Sequence, residues 1–110
     1  MTMYANETRP ILKLGRQVVT SRAITALESA RYDWQWYVAQ LLYKHARGDW
    51  GNVCPEDKTS NDEAARNGGR VISSYKVDPF GSDSGHGSNA LWVITEADRS
   101  TTTVLLAEEY

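Results

Sequence analysis

Few side chains in this 110-residue sequence have the chemistry to move a proton or hold an anion. His45 is the foremost, because an ordinary imidazole titrates at about 6.5 and exchanges a proton near neutral pH. The same residue closes an apolar helical face, where a histidine hydrogen-bonded to a backbone carbonyl serves the core instead. Arg99 stands with Glu96, Asp98 and Thr101 to Thr103 in a dense polar cluster. A guanidinium among hydroxyls suits an oxyanion, to which it donates a bidentate pair. The cluster also reads as a tight turn in which Asp98 and Thr101 hydrogen-bond the backbone. His86 sits in GSDSGHGS, a linker-like composition. His45, Cys54 and His86 have no zinc-site spacing, so no metal is expected. Neither a phosphate loop nor a dinucleotide fingerprint is present, and no cofactor is implied.

Binding is the other chemistry on offer. Four tryptophans and six tyrosines are many for this length. Trp36 lies off the main apolar stripe and Trp50 falls in a loop; exposed aromatics anchor protein interfaces, and simple core packing is the competing reading of both. With the flanking charges, the candidate partner-binding set is Trp36, Asp49, Trp50, Glu96, Asp98 and Arg99.

The elements that position these residues follow from periodicity. Residues 1–13 read as a loose arm, and Ile11 to Val19 as a short extended stretch broken at Gly15. Thr20 and Ser21 offer an N-cap to a helix of about residues 22–30, with Ala23, Ile24, Leu27 and Ala30 at helical spacing. Asp33 is placed to cap a second helix. Its Trp34, Tyr37, Val38, Leu41, Leu42 and His45 form one continuous apolar face, stopped by Arg47 and Gly48. That face has two ways to be buried, on a sheet or across the twofold of a homodimer. A polar surface helix is predicted from Pro55 to about Asn67, ended by Gly68-Gly69. The remainder alternates with period two: strands over 70–77, 90–96 and 101–106, with Glu96–Ser100 as a hairpin link. Residues 78–89 (DPFGSDSGHGSN) read as a flexible inserted loop. The expected fold is α+β: one domain of 1–110 with N-terminal helices packed on a small antiparallel β-meander of three to four strands.

Composition narrows the function classes. Hydrophobic residues are 41% and charged residues 24%, as in an ordinary globular domain. No apolar run is long enough to span a bilayer, so no membrane association is expected. The polar N-terminus and single cysteine point to the cytoplasm. Net charge is −2, with seven Lys/Arg against four Asp/Glu in residues 1–50 and five against ten in residues 51–110. A pI near 5.6 argues against broad nucleic-acid binding.

His45-Ala46-Arg47-Gly48-Asp49-Trp50-Gly51 and Ile94–Leu106 (ITEADRSTTTVLL), ending in Glu108-Glu109-Tyr110, resemble a widespread family of short uncharacterised bacterial proteins. Glu56-Asp57-Lys58, Asn61 and Gly69–Tyr75 fit the same pattern, so the resemblance covers about residues 14–110. Ala107 stands where such proteins usually carry proline, and the loop over 78–89 is an insertion. The resemblance implies a setting on plasmids, integrative elements and phages. The layout is also similar to the barnase/RelE-like ribonuclease superfamily. That likeness implies His45 as acid–base, Glu96 as partner base, and Arg99 and Thr102 on the scissile phosphate. Two functions are therefore expected to compete. The first is a mobile-element accessory protein that binds a host or element-encoded protein, of the kind that inhibits a CRISPR or restriction subunit. The second is a small ribonuclease or a degenerate relative.

Overall fold

In the computed structural model of the chain, residues 9–30, 33–81 and 89–110 are described. Residues 1–8 of the expected arm, and His86 with residues 82–88 of the expected loop, lie outside them. The element order is β1 (Arg16–Val19), α1 (Ser21–Ser29), α2 (Trp34–Ala46), α3 (Pro55–Asn67), β2 (Val71–Lys76), β3 (Ala90–Thr95), β4 (Thr101–Leu106) and a 3-10 turn (Ala107–Glu109). This is an α+β fold with the helices ahead of most strands.

Local chemistry sets the element ends. Thr20 caps α1 by accepting from the Ala23 N–H at 3.1 Å, and its hydroxyl donates to Glu109 at 2.8 Å. Asp33 sits at the N-cap of α2, but its side chain makes no capping bond, contrary to the sequence reading. Pro55 opens α3, where its missing N–H costs nothing, and Gly68 closes it in the left-handed conformation with φ 85°.

The sheet runs β1-β4-β3-β2. β2, β3 and β4 form the expected antiparallel meander, with Ser73 opposite Val93 and Val93 opposite Val104. β1 corrects that picture: it pairs with β4 in parallel, Arg16 beside Thr101 through Val19 beside Val104, so the sheet is mixed. A parallel neighbour needs a long connection, and here the three helices and two strands supply it. Gly15 (φ 62°) lets the chain enter beside the β3–β4 turn, where a Cβ would collide with the Arg99 and Ser100 carbonyls.

Period-two alternation sends Tyr75, Leu91, Val93, Val104 and Leu106 to the helical side. There they meet Ala23 and Leu27 of α1 and Val38 and Leu41 of α2. The apolar face of α2 is thus buried on the chain's own sheet, and a homodimer would have to use another surface. A second, smaller cluster joins Leu12, Trp50 and Val71. Leu12 is buried and the Ile11 and Leu12 N–H groups both donate to Ala46 O, so the chain is already docked from Ile11 onward. The orphan carbonyl at the end of α2 holds what the sequence reads as loose arm.

Candidate functional site

His45 projects from the last turn of α2 into the interior and is fully buried. Its Nδ1 lies 2.5 Å from Ser73 Oγ on β2, and its Nε2 lies 2.9 Å from Thr95 Oγ1 on β3. Thr95 Oγ1 lies 2.7 Å from Thr102 Oγ1 on β4, and Thr102 donates to Leu14 O at 2.7 Å. The proton directions follow from the last bond. Thr102 has one proton and gives it to Leu14, so Thr95 donates to Thr102 and must accept from His45. His45 therefore carries its proton on Nε2, and Nδ1 accepts from Ser73. Burial, and secondarily the positive charge of Arg99, lower the imidazole pKa to about 4, which keeps it neutral. Both ring nitrogens are engaged and none of the ring meets solvent.

Arg99 is the one described non-glycine residue with positive φ, at 62°. That backbone turns its half-buried side chain toward the end of α3. The guanidinium donates to Ala64 O at 2.8 Å, Gly69 O at 2.6 Å and Glu96 O at 3.2 Å. A helix C-terminus concentrates unpaired carbonyls, which attract a cation. Asp98 is exposed, and hydrogen bonds from Ser100, first its hydroxyl and then its N–H at 2.9 Å, hold its carboxyl below the usual range. The Glu96 N–H donates to Thr101 O at 3.0 Å across the hairpin. Of the four residues in the ribonuclease reading, His45 and Thr102 share one buried network, Arg99 clamps α3 to the hairpin, and Glu96 sits in the turn. His45 and Thr102 are buried, where a phosphodiester has no access, while Glu96 and Arg99 are half-buried in the hairpin and outside that network.

The segment His45–Gly51 is a structural connector at nearly every position. Arg47 lies 3.6 Å above the Tyr43 ring and donates to Tyr43 O at 3.2 Å. Tyr75 donates its hydroxyl to Asp49 O at 2.6 Å, and burial pushes its pKa well above the ordinary value, so it stays protonated. Trp50, expected as an exposed anchor, is only 3% exposed. Its ring packs edge-on to His45, and its Nε1–H donates to Asp62 on α3 at 2.9 Å. The reason is an edge strand: the Ser74 N–H donates to Trp50 O and the Asn52 N–H to Ser74 O, so this loop pairs with β2 and carries the indole inward. Gly51 (φ 73°) permits that approach, since a Cβ there would meet Ser74 O.

Trp36, by contrast, is 63% exposed. It borders a groove of about 510 Å³ between α2 and β2, together with Gln40, Lys44, Asp49, Asn52 and Lys76. The partner-binding set is thereby divided. Trp36 and Asp49 share this groove, Glu96, Asp98 and Arg99 lie on the hairpin, and Trp50 is interior. The sequence reading missed the second stripe of α2. Trp36, Gln40, Tyr43 and Arg47 recur at helical spacing on the side away from the core, with Tyr43 46% exposed and Lys44 beside it. Their periodicity was legible but overshadowed by the apolar face. A second cavity, of about 340 Å³, lies against the N-terminal half of α3 and the outer face of the sheet. Among the described residues no group of three or more His, Cys, Asp or Glu is placed to hold a metal ion, and no helix is long and apolar enough to cross a membrane. Comparison of the chain with protein-family models, with curated proteins and with solved structures gives no match.

Proposed function

We propose that this chain acts by binding another protein, through the outward stripe of α2 and the groove beside it. The carrying observation is the exposure of Trp36 on a helix whose opposite face is already the core. An indole left 63% in water gains most by being covered, and Tyr43 and Arg47 extend the same strip. Lys44, Arg47 and Lys76 outnumber Asp49 there, which favours a partner surface with acidic side chains. The resemblance to proteins of plasmids, integrative elements and phages supports a partner in a host defence complex, a CRISPR or restriction subunit that the chain inhibits. Catalysis is the weaker reading, because the one described histidine is sealed in the core.

Affinity capture of the tagged chain from a host lysate with intact defence systems, read by mass spectrometry, tests this. The expected result is a stoichiometric partner retained by the native chain and lost with Trp36→Ala and Tyr43→Ala together. An RNA-cleavage activity abolished by both His45→Ala and Arg99→Ala, in variants that remain folded, overturns the reading in favour of a ribonuclease.

A further inference from the structure

The cavity of about 340 Å³ has walls of unlike chemistry. Trp92 on β3 supplies a flat aromatic surface, and Tyr110 packs against it with ring centroids 5.3 Å apart. Arg70 is exposed, with its guanidinium carbon 5.2 Å from the centre of the Tyr110 ring. Asp57, on the exposed first turn of α3, supplies a carboxylate to the same cavity. Among the described residues no ion pair joins Arg70 to Asp57, so the two line one cavity without neutralising each other. A carboxylate and a guanidinium held apart beside an aromatic wall suit a particular ligand. It must be flat, with N–H donors at one end and an anion at the other.

We propose that this cavity binds one nucleoside monophosphate, its base against Trp92, the N–H edge of the base toward Asp57 and its phosphate on Arg70. The volume falls at the lower end of small-molecule sites, roughly 300–1,000 Å³, which accommodates a single nucleotide. Stacking on an aromatic side chain is tolerant of base identity, and a guanidinium is the side chain best matched to phosphate. A nucleic-acid strand is disfavoured, because polymer binding rests on many phosphate contacts and the acidic chain offers one arginine here. The cavity meets the Trp36 groove at Asn52, but Asp57, Arg70 and Trp92 do not line that groove, so the inference does not depend on the protein-binding reading.

Cys54 makes the test direct. It is the single cysteine, exposed and on the cavity wall, so its alkylation rate reports occupancy. Alkylation of the full chain is followed by mass spectrometry during titration with AMP, GMP, CMP and UMP in turn, with calorimetry in parallel. At least one of them is expected to slow alkylation saturably below roughly 1 mM, and its nucleoside to bind about tenfold more weakly. Arg70→Gln, at an exposed position, is expected to weaken the nucleotide to the level of the nucleoside and leave the nucleoside unchanged. Asp57→Asn is expected to alter the preference among bases, and Trp92→Leu to weaken nucleotide and nucleoside alike. The proposal is overturned if no nucleotide slows alkylation, if inorganic phosphate protects Cys54 as well as any nucleotide, or if Arg70→Gln weakens nucleotide and nucleoside equally. Protection by an RNA oligonucleotide at far lower concentration than by any monomer also overturns it.

Discussion

Because Thr102 commits its proton to Leu14, each proton along Ser73–His45–Thr95–Thr102 has one direction, and the imidazole has no acceptor left for a second. In the folded chain His45 stays neutral down to about pH 4, while in the unfolded chain it is protonated near 6.5. Above pH 7 the two states bind the same number of protons at this site. Between 6.5 and 4 the unfolded state takes up a proton that the folded state refuses, so stability falls with pH by about 3 kcal/mol and then levels off. Urea unfolding from pH 7 to 4.5 should show this slope, and His45→Asn should flatten it. At pH 7, His45→Ala should cost about 3–5 kcal/mol, since it leaves a cavity and strands the hydroxyls of Ser73 and Thr95. Sequence could not separate the catalytic from the core reading of His45. The hydroxyls that satisfy it lie 28 and 50 residues away in the chain.

Helices were the most legible elements, since a 3.6-residue apolar period on α2 and Pro and Gly at the ends of α3 act within a few residues. The β4 boundaries are as predicted, because alternation alone defines them. What holds the elements together was not legible. Asn61, the one buried residue of α3, donates to Ile72 O at 2.8 Å and accepts from Ile72 N–H at 3.2 Å, covering the edge of β2 as a neighbouring strand would. Asn61→Ala should cost about 2 kcal/mol and speed amide exchange at Ile72, because two buried backbone groups lose their partners. Arg99→Ala should cost about 2–3 kcal/mol through its lost carbonyl contacts and a strained positive φ. Arg99→Gly relieves the strain alone and should recover about 1 kcal/mol of that loss. Thermal unfolding of the two variants separates the contributions, and equal melting temperatures would show that the backbone conformation is unstrained.

Across the molecule, the residues that fix the fold and those left for a partner fall largely in different places, with Arg47 beside Tyr43 and Asp49 in the groove belonging to both. His45 to Gly51 and Thr95 to Thr102 tie α2, α3, β2, β3, β4 and the N-terminal segment to one another. Trp36 and Tyr43 lie outward on α2 and support none of these bonds to the sheet. Replacing both with serine should therefore move stability by no more than about 0.5 kcal/mol each while abolishing partner capture. A partner held by Lys44, Arg47 and Lys76 should also dissociate more readily as salt is raised from 0.05 to roughly 0.5 M, because exposed charges are screened. Capture that is insensitive both to the double variant and to salt would place the interface elsewhere.

Period and punctuation in the chain were enough for the class of fold, the order of its elements and the face of α2 that is buried. These properties arise from forces acting over a few residues. Three decisions waited for the packed molecule. β1 joined the sheet in parallel, since strand partners are chosen over the whole chain. Trp50 went inward while Trp36 stayed out, since the edge of β2 captured the loop carrying one and nothing covers the other among the described residues. Arg99 turned to the carbonyls of α3, and His45 became a buried neutral link between Ser73 and Thr95. In each case the side chain's role was set by what distant segments placed beside it, and burial is a property of that encounter rather than of the residue.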